Sequence, residues 1–260
     1  MKTSLLITTY NWKEALKAVL DSVKHQSCLP DEVIVADDGS RQDTGDMIAQ
    51  MQTDYPVPLL HSWQEDAGFR ATVSRNRAIA SANGDYLLMI DGDMVLSQTF
   101  VECHKRAARP GWFVQAGRVQ TNSDTADKIM KKRLVPSCLT PGIGNRKNCI
   151  TNPLLSRLFS FERKTAKGAR SCNMSFWKED ALQINGFNHD FVGWGREDNE
   201  FVCRLLHAGK RCLCLKFAAV GYHLYHAPRS REALRRNDAI LEHTMINKLS
   251  RCPNGIDSFL

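Results

Sequence analysis

No apolar run in the 260-residue chain approaches the ~20 residues that a bilayer-spanning helix requires. The N-terminus, Met1-Lys2-Thr3-Ser4-Leu5, enters a strand-like segment at once and shows no signal-peptide cleavage pattern. The nine cysteines include no Cys-x-x-Cys pair. An odd, scattered set argues against a disulfide framework or a zinc site and fits reduced thiols in a cytosolic protein. Zinc-finger, RNP-type and KH signatures are all missing, which turns the reading away from nucleic acid despite a formal charge of +7 and a pI near 9.0. Internal repeats and low-complexity linkers are missing too.

What remains is an ordinary globular composition, 43% hydrophobic, enough for one large core or two tightly joined subdomains. Basic residues cluster at Lys131-Lys132-Arg133, Arg146-Lys147, Arg163-Lys164 and from Arg229 to Arg236. With nucleic acid set aside, solvated surface, an anionic membrane or an anionic substrate are the readings left for that charge.

The most informative triplet is Asp91-Gly92-Asp93, which directly follows the apolar run Tyr86-Leu87-Leu88-Met89-Ile90. The run reads as a buried strand. Two carboxylates one residue apart at its end form a hard-oxygen corner suited to manganese or magnesium, which also grip phosphates. Asp-Gly-Asp is also an ordinary turn, so its neighbours decide. A strand at 4–8 ends in Thr8-Thr9-Tyr10-Asn11, with Asn11 read as the N-cap of a helix and Glu14 three residues on. That helix has its apolar positions at Ala15, Leu16, Val19, Leu20 and Val23. A strand at 32–36 ends in Asp37-Asp38-Gly39-Ser40. Helices over 43–51 and 72–82 and a short strand near 59–61 complete an alternating pattern, which implies a mainly parallel sheet. Ligands gather at the carboxyl ends of such strands, and three polar clusters fall there.

The stretch 121–170 is polar, basic and rich in Pro and Gly, and reads as a mobile, structureless lid separating an N-terminal half (1–120) from a C-terminal one (171–260). In the latter, Gly193-Trp194-Gly195-Arg196-Glu197-Asp198-Asn199-Glu200 places an aromatic between glycines and acids at the start of a helix. An indole can stack on a sugar while a carboxylate accepts a hydroxyl proton; an acidic helix start beside a core Trp is the plainer reading. Further on, His223 and His226 could share a metal on a helical turn but would face opposite sides of a strand. A helix over 231–248, with apolar Leu234, Ile240, Leu241 and Ile246, is expected to pack on the core, lipid contact being the alternative.

Taken together, residues 3–120 resemble an inverting family 2 glycosyltransferase of the GT-A fold. The resemblance rests on Thr8-Thr9-Tyr10-Asn11, Asp37-Asp38-Gly39-Ser40, Arg75-Asn76 and Asp91-Gly92-Asp93. Residues 170–228 resemble the C-terminal region of beta-1,4-galactosyltransferases and bacterial chondroitin-type polymerases. There the carriers are Ser171-Cys172-Asn173-Met174-Ser175, Gly186-Phe187-Asn188, and Gly193 to Glu200 with His226 downstream. The resemblance implies an α/β, Rossmann-like, mainly parallel sheet flanked by helices in a single compact domain whose C-terminal half binds the acceptor. It implies a UDP-sugar donor, Mn2+ or Mg2+, and a glycan or lipid-linked glycan acceptor. The expected place of work is bacterial surface polysaccharide or lipopolysaccharide assembly, in the cytoplasm or on the inner membrane face. In donor binding, Asp38 would meet the uracil, Thr8 and Tyr10 would line the donor pocket, and Asp91 would touch ribose or the metal shell. Arg75 would position the donor sugar or Asp-Gly-Asp, and Glu197 would contact the donor sugar. Asp93, His226 and His223 would hold the metal. Asp198 would be the catalytic base, and Trp194 and Arg196 would face the acceptor. Arg196 departs from the family, many members of which carry a second Gly there. A nucleotidyltransferase is the alternative enzyme, but the Thr8–Asn11 turn lacks its Gly-rich phosphate loop; a non-catalytic carbohydrate-binding protein is the alternative without chemistry.

Overall fold

In the parallel strands Thr3–Thr9, Glu32–Asp37 and Tyr86–Asp91 the central positions are apolar, and the two-residue repeat sends alternate side chains to opposite faces. Leu5, Ile7, Val33, Val35, Leu88 and Ile90 enter one core cluster. Leu6, Ile34, Ala36, Leu87 and Met89 enter the other. Both faces are therefore covered, and the chain alternates strand and helix to cover them. The structure is a computed structural model that describes residues 1–260 except Arg133, Val135 and Arg229; those members of the basic clusters lie outside the described residues.

The strands are β1 (Thr3–Thr9), β2 (Glu32–Asp37), β3 (Leu59–Trp63), β4 (Tyr86–Asp91), β5 (Met94–Leu96), β6 (Trp112–Ala116), β7 (Val119–Thr121), β8 (Ile143–Gly144), β9 (Phe161–Arg163), β10 (Asn173–Trp177), β11 (Arg211–Leu215) and β12 (Gly221–His223). The helices are α1 (Lys13–Lys24), α2 (Gln42–Gln52), α3 (Ala71–Ser81), α4 (Phe100–Ala107), α5 (Ser123–Met130), α6 (Pro153–Phe159), α7 (Lys178–Gln183), α8 (Glu197–His207) and α9 (Leu234–Ile246). The main sheet runs β3-β2-β1-β4-β10-β6-β11-β9, and a smaller one runs β5-β12-β7-β8. Strands β3, β2, β1 and β4 are parallel. β10 enters antiparallel between β4 and β6, and β11 is parallel to β6. The result is the expected mixed α/β domain with a mainly parallel sheet flanked by helices.

Three expectations need correction. Asn11 does not cap α1: Trp12 holds that position without a side-chain bond. Asn11 instead sits at φ 49°, its amide donating to Ser40 Oγ and its side-chain oxygen accepting from the Arg41 amide, so it ties the end of β1 to the end of β2. The stretch 121–170 is not structureless. It contains α5, β8, a 3-10 turn at Arg146–Cys149, α6 and β9, and β9 pairs with β11 in the main sheet. The last helix is shorter than 231–248. It lies against α8 with Leu234, Ile240 and Leu241 half-buried, while Ile246 stays exposed.

Candidate active site

Strand ends deliver the first group of side chains. Thr8, Asp38 and Asp91 stand at or just beyond the carboxyl ends of the adjacent strands β1, β2 and β4. Between them, Gly92 passes so close to β1 that a Cβ there would lie 2.9 Å from the Thr8 carbonyl oxygen. Its amide donates to that same oxygen at 2.7 Å. The glycine in Asp91-Gly92-Asp93 is thus a steric requirement of the sheet. It lets the chain turn straight into β5, whose antiparallel pairing with β12 sets His223 opposite Met94, next to Asp93.

That pairing resolves the histidine question. β12 ends at His223 and the chain turns, so His226 is not held to the strand's alternation. His223 Nε2 lies 3.6 Å and His226 Nε2 3.5 Å from Asp93 Oδ2. One ligand atom from each residue lies within 4.8 Å of the other two, a spacing that cation–ligand bonds of roughly 2.0–2.2 Å can gather. The His226 ring contacts the Ala227 carbonyl through Nδ1 at 2.7 Å; a proton on Nδ1 leaves the Nε2 lone pair toward Asp93, the arrangement a metal-ligating histidine needs. Burial, helped by the nearby Arg118 charge, holds His223 down at about 3, so its ring is neutral. One carboxylate and two imidazoles suit Mn2+ better than Mg2+, which prefers oxygen alone.

Arg75 is the cation at the centre of the floor. It rises from α3, a helix with little amphipathic character because its inward face carries Thr72, Ser74, Arg75 and Asn76. Asn76 fastens the fold, its side chain exchanging bonds with both backbone groups of Phe187 at 2.7 Å. Arg75 turns into the cleft and rests on the Phe187 ring. Its guanidinium donates to Asp198 Oδ1 at 3.0 Å and lies 3.7 Å from both Glu197 Oε1 and Asp91 Oδ1. Burial opposes its charge, but Asp198, Glu197, Asp91 and Asp38 outweigh that and raise its pKa. The Ser171 amide donates to Asp198 Oδ2 at 2.9 Å. Both oxygens of Asp198 are thereby oriented, and each keeps lone-pair capacity for a further proton.

The other acids differ by environment. Burial, then repulsion from Asp198, pushes Glu197 up to about 7. Burial raises Asp38 to about 6, against hydrogen bonds from the Arg70 amide at 2.9 Å and the Gln64 side chain at 2.6 Å. Asp91 is raised by desolvation with Arg75 pulling the other way. Asp37 faces inward instead, accepting from the Ser40 amide and pairing with His61 at 2.8 Å. Tyr10 donates to Asp66 at 3.0 Å.

The rim comes from the second half. Gly193 and Gly195 take φ of +77° and +110° and press on the start of α9, where a Cβ on either would lie under 3 Å from Ala233 or Leu234. Trp194 between them is left 41% exposed. Arg196 also has a left-handed φ of +77° and bonds Asp238 on α9. Behind the rim, fully buried Arg204 forks onto Glu200 and donates to the carbonyls of Ile184 and Gly186, which locks α8 and therefore Asp198 at its first turn.

All twelve residues singled out from the sequence line one cavity of about 890 Å³. Sequence reasoning missed Arg118, which lines the same cavity. Its Nε is buried with no hydrogen-bond partner among the described residues, and its charge acts on Asp91 and His223. The one available signal is its place just after β6, at the same edge of the sheet as the other strand ends.

The domain is of the GT-A type, with the cleft at the carboxyl edge of its Rossmann-like sheet. The model of glycosyl transferase family 2 matches residues 4–174, well over half the chain, and the protein belongs to that family. A second model, described as the N-terminal domain of galactosyltransferase, matches residues 158–227. The chain is 26% identical to chondroitin synthase of Escherichia coli over 242 residues, covering 86% of this chain and 34% of that protein. It is 38% identical over 108 residues to the uncharacterized glycosyltransferase YfnE of Bacillus subtilis, covering 41% of this chain and 27% of that one. It therefore spans no more than about a third of the length of these curated relatives. Among solved structures, S. aureus TarS superposes with a TM-score of 0.65 at 17% identity, over 95% of this chain and 40% of TarS. A mannosyltransferase from Pyrobaculum calidifontis, solved with GDP-Man and Mn2+, superposes with a TM-score of 0.59 at 17% identity, over 95% of this chain and 63% of that one. At these identities the two structures speak for the fold alone.

Proposed function

We propose that this family 2 glycosyltransferase moves a hexose or N-acetylhexosamine from a UDP-sugar to a hydroxyl of a glycan or lipid-linked glycan by single displacement with inversion. The product would enter a bacterial surface polysaccharide or lipopolysaccharide. The observation that carries this reading is the shared cleft: an oriented carboxylate, Asp198, and a carboxylate–imidazole triad, Asp93, His223 and His226, line one cavity together with Arg75. TarS has also been solved with UDP, which supports a uridine donor.

Asp38 accepts from the uracil N3–H, with Thr8 and Tyr10 lining the base pocket. Both Asp38 oxygens already accept one bond from the protein, which leaves room for a single-donor edge. Asp93, His223 and His226 would hold the divalent cation, which when bound supplies Lewis-acid stabilisation of the diphosphate leaving group. Arg118, charged and close to Asp91 and His223, adds a fixed positive charge where the leaving group gains negative charge. Arg75 and Glu197 bracket the donor sugar, and Trp194 stacks on the acceptor. Asp198 takes the acceptor proton as the oxygen bonds to the anomeric carbon. The bond from that carbon to the phosphate oxygen breaks with its electron pair, and UDP departs.

The test is UDP release from a panel of UDP-sugars, with GDP-mannose as control, first in manganese and then in chelator. Slow manganese-dependent hydrolysis of one UDP-sugar, lost in Asp93→Ala, is the expected result and identifies the donor. No UDP affinity in manganese, or affinity unchanged in Asp93→Ala, would overturn the assignment.

A further inference from the structure

Helix α6 breaks the rule that a helix of a globular protein buries its apolar stripe. It reads Pro153-Leu154-Leu155-Ser156-Arg157-Leu158-Phe159 and none of its residues is buried. Its start is well specified, with proline at the first position and the Asn152 side chain accepting from the Leu155 amide at 3.0 Å. The helix is therefore held in a defined shape while Leu154, Leu158 and Phe159 face out and only Leu155 among its apolar side chains is half-buried. Leu154 and Leu158, one turn apart, are each 66% exposed, and Phe159 and Phe161 at least half exposed. Isolated exposed leucines are normal, but a contiguous exposed group of this kind marks a contact surface.

Charge identifies the partner. Between residues 146 and 167 the chain carries the cations Arg146, Lys147, Arg157, Arg163, Lys164 and Lys167 against the single acid Glu162. That acid is already engaged by Arg211. Lys216 lies 5.8 Å from the centre of the Phe161 ring. An apolar face flanked along the chain by cations complements a surface with an apolar interior and an anionic boundary. A second copy of this chain, at +7, would bring like charges together.

Position ties the face to the cleft. Phe161 pairs with Cys214, near the carboxyl end of β11. β11 is parallel to β6, and β6 runs in the direction of β4, since each is antiparallel to β10. Helix α6, which leads into β9, thus sits at the same edge of the sheet as Asp91 and Asp93. β9 and β4 are four strand spacings apart, roughly 19 Å at ~4.8 Å each. We propose that α6 and Phe161 form a docking element for an anionic lipid bilayer, which holds the cleft at the height of the bilayer headgroups.

The experiment is co-sedimentation with vesicles of phosphatidylcholine alone and of phosphatidylcholine mixed with phosphatidylglycerol. The protein is expected to bind the mixed vesicles, weakly at high salt, and to leave pure phosphatidylcholine. The triple variant Leu154→Ser, Leu158→Ser, Phe159→Ser is expected to lose at least ~tenfold in partitioning. The variant Arg157→Glu, Lys164→Glu is expected to lose about fivefold for each cation removed. All five positions are exposed, so folding is retained, and UDP release in manganese should match wild type in every variant. That readout separates a failure of the lipid proposal from a failure of the donor-site reading. Absence of binding to mixed vesicles, or wild-type binding by the triple variant, would overturn the proposal. So would lipid-free self-association of the wild type that the triple variant abolishes, which would make this face an interface between copies.

Discussion

The two halves of the cleft are built in opposite ways. The proposed donor floor is assembled from residues that follow one another closely in the chain: Thr8, Asp38, Arg75, Asp91 and Asp93 all precede β5. The proposed catalytic side and the rim are assembled from afar. Asp198 stands on a helix start locked by buried Arg204 and Glu200, and His223 reaches Asp93 only because β12 pairs with β5 in a separate small sheet. The floor inherits its geometry from the main sheet, whereas the other side depends on individual polar fasteners. Substitutions on the floor, and at the histidines that meet Asp93, should therefore disturb donor binding, and those at Asp198 and the rim should disturb turnover.

The largest effect sharpens that division. Asp198→Asn keeps the side-chain shape but removes the base, and turnover is expected to fall ~10²–10⁴-fold, with UDP affinity in manganese close to wild type. Steady-state kinetics beside a UDP titration decides it. A fall in UDP affinity as large as the fall in turnover would place Asp198 in the donor floor and erase the contrast.

The contrast also explains what was legible in the sequence. Apolar runs alternating with helical segments exposed β1 to β4 and α1 to α3 within a residue or two, because the signals are local. β10 was not legible as a partner of β4 and β6: Asn173-Met174-Ser175-Phe176-Trp177 carries polar residues inward, and it fits only because Ser175 and Asn173 are satisfied by His104 and Tyr86. The short strands of the small sheet offer too few residues for a period to show, so 121–170 looked like loop. The residues that line the cavity were reached through motif resemblance, whereas Arg118, outside any motif, was visible only once the fold placed it in that lining.

The next effect in size tests the seam between the halves. His104 on α4 is fully buried and is held down at about 4, by desolvation, against its Asn173 bond. Its neutral ring joins Ser175 and Asn173, and Asn173 donates to the carbonyl of Gly117, beside Arg118, and to that of Ala219, just before the strand that ends at His223. The unfolded chain takes the proton near pH 6.5 and the folded one only near pH 4. Stability from this group is therefore complete above about 6.5 and is lost as pH falls toward about 4, amounting to about 3 kcal/mol. Urea denaturation at pH 7 and pH 4.5 should show a smaller acid loss in His104→Gln than in wild type. Equal losses would mean that His104 does not govern the seam.

On the floor, Asp38 gives a pH signature of its own. Its value of about 6 leaves it ionised at neutrality and able to accept from uracil. As pH falls below about 6 it protonates, and the donor KM should rise while turnover at saturating donor changes less. Each pH unit below that value should weaken donor binding by up to ~tenfold. Asp38→Asn should remove the rise. A wild-type donor KM flat between pH 7 and pH 5 would separate Asp38 from base recognition.

The smallest effect concerns the rim. Arg196 holds a left-handed conformation that costs a non-glycine residue ~1–2 kcal/mol. Its exposed pair with Asp238 returns at most ~1 kcal/mol. Arg196→Gly should then leave stability within about 1 kcal/mol of wild type or raise it slightly, as read by urea denaturation. A residue kept in such a conformation without a folding benefit has its reason in the cleft it borders. Arg196→Gly should raise the acceptor KM and leave the donor KM unchanged. If the substitution instead destabilises by well over 1 kcal/mol, the Asp238 contact is a fastener of the same kind as Arg204 and Glu200, and Arg196 belongs to the scaffold of α8 rather than to acceptor recognition.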